Sequence, residues 1–124
     1  MFTVGVTDSE VVVTFEGMGR LLAMRKRVSA PISSISDART APDAAGWIAG
    51  NIQVKKSWKG SYVHGRYAMG SLSKAGERSF WAIRTGDGAV EVTLSGHDFD
   101  RLVVEPDDPN GFLSELRERL GHDL

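Results

Sequence analysis

The chain has 124 residues, no cysteine, and 15 basic against 16 acidic side chains. That length suits one domain with its own core. The lack of cysteine excludes a disulfide framework, a thiolate zinc site and a cysteine nucleophile. No apolar run reaches the roughly 18 residues of a membrane-spanning helix. Met1-Phe2-Thr3-Val4-Gly5 has neither the basic start nor the long apolar stretch of a secretory leader, so a cytoplasmic protein is expected. The charge is uneven: residues 20–67 hold nine basic and two acidic side chains, a local +7, and the remainder is −8. Such asymmetry can mark a face for an anionic partner or for another copy of the chain.

No repeat, low-complexity tract or linker divides residues 1–124, and glycines punctuate short β-like segments. The first strand is expected over Glu10–Glu16, with Val11, Val13 and Phe15 on one face. Gly17-Met18-Gly19 reads as the turn. Leu21–Ala30 reads as a second strand, with Leu22, Met24 and Val28 inward; that pattern also points Lys26 inward, which a bulge would have to relieve. Pro31 ends it, having no backbone donor. Ile35–Thr40 is a third strand. Asp43–Ile48 can form a helical turn, Ile52 and Val54 a short strand, and Lys55–Gly60 an exposed loop.

Further on, Tyr62–Met69, Ser79–Arg84, Ala89–Leu94 and Arg101–Glu105 read as strands, with Ser73–Arg78 a turn-rich connection. Thr85-Gly86-Asp87-Gly88 carries the glycines of a hairpin turn. The clearest element is a C-terminal helix over 109–120. Asp108 is a good N-cap and Pro109 a good first residue. Phe112, Leu113, Leu116 and Leu120 form one apolar stripe, and Gly121 is a natural C-cap. The fold class is therefore mainly β with one C-terminal α-helix.

About seven strands followed by one amphipathic helix resembles the order of bacterial pleckstrin-homology (PH)-like domains. Two stretches share the resemblance: Arg25-Lys26-Arg27-Val28-Ser29-Ala30-Pro31-Ile32-Ser33-Ser34-Ile35, and Phe99-Asp100-Arg101-Leu102-Val103-Val104-Glu105-Pro106-Asp107-Asp108-Pro109. The resemblance implies a bent β-sandwich or partly open barrel capped by the helix, and implies little about function.

No catalytic constellation stands out. Gly17-x-Gly19 lacks the third glycine of a dinucleotide fingerprint, and a strand rather than a helix is expected to follow it. His64, His97 and His122 are widely spaced, and His97-Asp98-x-Asp100 reads as a polar turn rather than a metal site. No serine sits in a Gly-x-Ser-x-Gly elbow. A non-catalytic protein without a cofactor is expected.

The candidate binding residues are cationic. In PH domains that bind phosphoinositides, a basic residue near the first hairpin joins a basic-x-basic pair on the second strand. Here Arg25-x-Arg27 resembles the pair and Arg20 supplies a third cation, although Arg20 follows the turn instead of preceding it. Guanidinium forks suit phosphate oxygens. Lys55, Lys56, Trp58 and Lys59 join an aromatic to three lysines, a combination that suits an anionic membrane interface. Trp58 can equally pack against the sandwich, and Trp47 and Trp81 are core candidates. Three functions follow in order of preference. The first is a binding or scaffold module for a protein partner or a second copy. The second is peripheral binding to anionic lipid or a phosphorylated headgroup at the inner membrane face. The third is nucleic-acid binding, ranked last because the whole chain is slightly acidic and no helix is basic.

Overall fold

In the computed structural model, which describes residues 1–52 and 57–121, three strands form a small antiparallel sheet: β1 (Phe2–Val6), β2 (Glu10–Phe15) and β3 (Arg27–Pro31), in that order. β2 follows the predicted alternation, burying Val11, Val13 and Phe15. β1 is an additional strand. Its Phe2 opposes Phe15 and is buried with it.

The expected strand over Leu21–Ala30 is divided. Met18–Ala23 forms a short helix, α1, and only Arg27–Pro31 is strand. Leu, Ala, Met and Arg are strong helix formers. β3 meets β2 at Thr14↔Arg27, so the intervening residues escape the ladder. Alternation restarts at Arg27, which leaves Lys26 exposed and removes its difficulty.

Six strands form the large sheet: β4 (Ile35–Thr40), β5 (Trp58–Val63), β6 (Tyr67–Lys74), β7 (Glu77–Ile83), β8 (Val90–Leu94) and β9 (Arg101–Val104). Their spatial order is β4-β8-β9-β7-β6-β5. The architecture is thus mainly β; the described residues form nine strands instead of about seven, in two sheets without a closed barrel among them. Three local expectations are corrected and one is refined. Trp58–Gly60 is strand, not loop. Tyr62–Met69 is broken by a turn between β5 and β6. Ser73–Arg78 is a β6–β7 hairpin turning at Ala75-Gly76. Thr85–Gly88 is no hairpin either, because β9 inserts between β7 and β8 and pairs with β7 in parallel. The predicted helical turn extends into a full helix, α2 (Ala44–Asn51); Ile52 is its C-cap, and Val54 lies outside the described residues.

The large sheet is buried on both faces at its centre, so Phe80-Trp81-Ala82-Ile83 and Leu102-Val103-Val104 are continuous buried runs. Inside, Met69, Phe80 and Leu102 of the large sheet meet Phe15 and its neighbours of the small sheet. The C-terminal helix, α3 (Pro109–Leu120), adds Phe112, Leu113 and Leu116 to that core and packs on β1 and β4. Asp108 accepts the Gly111 N–H at 3.1 Å, the expected cap. Outside, Trp81, Leu72, Ile83 and Val103 are covered by Ala44 and Ile48 of α2.

Gly60 and Gly70 oppose each other across β5 and β6, and a Cβ on either would collide with the other strand's backbone. Gly70→Val is therefore expected to cost about 2 kcal/mol, a typical overpacking penalty, read as a lower urea midpoint.

Candidate functional site

The connection between β2 and β3 is the exposed feature that the core does not explain. Gly17 turns the chain with φ 55°, and Glu16 N–H donates to the Met1 carbonyl at 3.0 Å. Gly19 lies so close to Met1 that a side chain would not fit there. Ala23 is buried, and α1 lies against β5 and β6. Met24 closes the helix in the left-handed conformation, its N–H shared by the Arg20 and Leu21 carbonyls. A backbone tied down at these points holds three large apolar side chains in solvent: Met18 is 61 % exposed, Leu21 72 % and Met24 68 %.

The same segment holds Arg20, Arg25, Lys26 and Arg27, all exposed, and no acid lies between residues 17 and 27. Their surroundings differ. Arg20 Nε donates to the Phe15 carbonyl at 3.3 Å. Arg25 follows α1, off the strand, and its guanidinium lies over the Phe99 ring at 5.2 Å. Arg27 opens β3 and pairs with Glu10. The expected phosphate fork of Arg25 and Arg27 on one strand face is therefore replaced by a chain of cations beside an apolar tip. Among the described residues, Arg25 and Lys26 have no carboxylate within ion-pair distance.

Of the second predicted cluster, Trp58 and Lys59 do not share a face. Trp58 packs with the outer core beside Leu72, whereas strand alternation turns Lys59 to the opposite face of β5. Lys55 and Lys56 lie outside the described residues. Trp47 and Trp81 stack at 5.4 Å with an interplanar angle of 8°; Trp81 is buried and Trp47 partly exposed at the rim.

Beside these rings a charged chain crosses the outer sheet face. Arg39 contacts Glu91 at 3.2 Å, Arg101 Nη1 donates to Glu91 at 2.7 Å, and Arg101 Nε lies 2.8 Å from Glu77, off its N–H axis. Burial by itself would raise the Glu91 carboxyl. The hydrogen bond and charge of Arg101, joined by Arg39, outweigh burial and hold it below its ordinary value of 4.5. The stability this gives is present above pH 4.5 and lost as pH falls through the lowered folded value. Glu91→Gln should therefore be less stable than wild type at pH 7, the gap closing in acid; urea midpoints between pH 7 and 3 check this.

His97 is a structural residue. Its Nδ1 accepts the Phe99 N–H at 3.0 Å, so Nε2 carries the hydrogen and donates to the Ser29 carbonyl at 2.9 Å. His122 lies outside the described residues. Among the described residues no three His, Asp or Glu side chains gather as a metal site. No helix in them is long and apolar enough to cross a membrane.

The α1 tip was not legible as a site: alternation assigns Met24 inward with Leu22, and the structure exposes it. The available signal was the i,i+3 spacing of Met18 and Leu21 in a run of helix formers between glycines and arginines. No family model, curated protein or solved structure matches the chain.

Proposed function

We propose that this protein is a non-catalytic binding module that docks peripherally on an anionic membrane surface through α1 and the basic residues after it. The exposure of Met18, Leu21 and Met24 on a fixed backbone carries the reading. Apolar side chains at the tip suit the acyl boundary of a bilayer, and cations beside them suit the headgroups. Each cation near such a surface contributes about 1 kcal/mol, so Arg20, Arg25, Lys26 and Arg27 together matter more than any single contact. The pleckstrin-homology-like resemblance belongs to the same proposal, as does a place on the inner membrane face.

Cosedimentation with vesicles across a salt series tests it. Binding to phosphatidylserine-containing vesicles should weaken steeply between low and physiological salt, and neutral vesicles should bind little. Salt-independent binding, equal on neutral and anionic vesicles, would contradict the proposal. Absence of binding, with a concentration-dependent dimer in sedimentation, would favour a second copy of the chain as partner.

A further inference from the structure

We infer that Met18 and Met24 form an oxidation site through which peroxide releases the protein from the membrane; the inference rests on the docking proposed above. The chain has four methionines, in two environments. Met69 is fully buried, and Met18 and Met24 stand 61 % and 68 % exposed at the tip of the docking segment. Met1, at 52 %, lies beside α1, its carbonyl bonded to Glu16 N–H. Oxidation follows exposure, so the tip sulfurs react long before Met69.

The step balances with hydrogen peroxide as oxidant. The thioether sulfur attacks one peroxide oxygen, an S–O bond forms, the O–O bond breaks, and water leaves. Sulfur loses two electrons to become a sulfoxide and the peroxide is reduced. The product is polar where the bilayer interior favours an apolar group. The left-handed backbone at Met24 and the close Gly19–Met1 packing hold α1 in place, so the modified side chains stay at the contact surface. The reaction leaves the cations unchanged, so long-range attraction to the surface persists while insertion is lost.

The test compares wild type with Met18→Leu/Met24→Leu, which keeps apolar volume and cannot be oxidised there. Both are treated with hydrogen peroxide, mapped by peptide mass spectrometry, checked by circular dichroism, and assayed on phosphatidylserine-containing vesicles. Wild type should lose about tenfold in partitioning on conversion of both sulfurs, and the double variant, with Met1 still oxidisable, should lose almost nothing. Equal binding of oxidised and untreated wild type, with both sulfoxides verified, would overturn the inference and leave the docking intact. Loss in both proteins would also overturn it, placing the sensitivity elsewhere. Failure of untreated wild type to bind would remove the docking reading and this inference with it.

Discussion

Replacing Glu105 by alanine should destabilise the protein by about 3 kcal/mol, the largest effect expected of any single polar substitution here. Glu105 follows β9 and is only 8 % exposed. Its carboxylate gathers the segment after β7: one oxygen accepts the N–H groups of Arg84 at 2.6 Å and Gly86 at 3.1 Å, the other that of Gly88 at 3.0 Å. Its own carbonyl accepts Arg84 Nη1 at 3.0 Å. This carboxylate therefore replaces the hairpin that the Gly86 and Gly88 pattern suggests. Alanine removes the acceptor and leaves three donors without it, and a protein of this size should melt about 10 °C lower. Glu105→Gln retains one acceptor but turns an amide donor toward N–H groups, and should fall between the two. Calorimetry reads both; a loss below about 0.5 kcal/mol for alanine would mean that the loop finds other partners.

Leu21→Asp should reduce partitioning to anionic vesicles about a hundredfold while leaving the melting temperature unchanged. The side chain is 72 % exposed, so folding has little at stake. Docking loses an inserted apolar group and gains a negative charge among the cations. Leu21→Ala should cost about tenfold, since only the apolar part goes. Ala23→Asp, at a buried position on the same helix, should unfold the segment instead. Equal binding by wild type and Leu21→Asp would place the contact elsewhere. Charge reversal at Arg25 and Arg27 is less informative. Arg27→Glu would face Glu10, and Arg25→Glu would uncover Phe99, so folding and docking would change together. Lys26→Glu has neither complication among the described residues.

The parts of the fold that are legible in the sequence are those where one local rule acts alone. Alternation identifies β2, and the Asp108-Pro109 start with its apolar stripe identifies α3. Reading failed where two rules compete. Leu21–Met24 satisfies helix propensity and strand alternation together, and the limit of the β2–β3 ladder at Arg27 decides for helix. Ser79–Arg84 and Arg101–Glu105 read as strands, but their parallel pairing does not, because β7 and β9 meet only after the chain has made β8 between them. The site followed the same division. Composition points to the basic segment, whose Arg20, Arg25, Lys26 and Arg27 are exposed. The separation of Trp58 from Lys59, and the projection of Met24 into solvent, depend on strand faces and a left-handed residue that composition cannot show.

The absence of cysteine in the natural chain permits a single label at any chosen position, and the most direct test places an environment-sensitive fluorophore on Met24→Cys and, separately, on Asp8→Cys. Asp8 lies in the β1–β2 turn, at the other end of β2 from α1, with its side chain 97 % exposed. Phosphatidylserine-containing vesicles should shift the Met24 label to the blue and brighten it, while the Asp8 label stays as in buffer. No shift at Met24, or an equal shift at both positions, would contradict docking through α1.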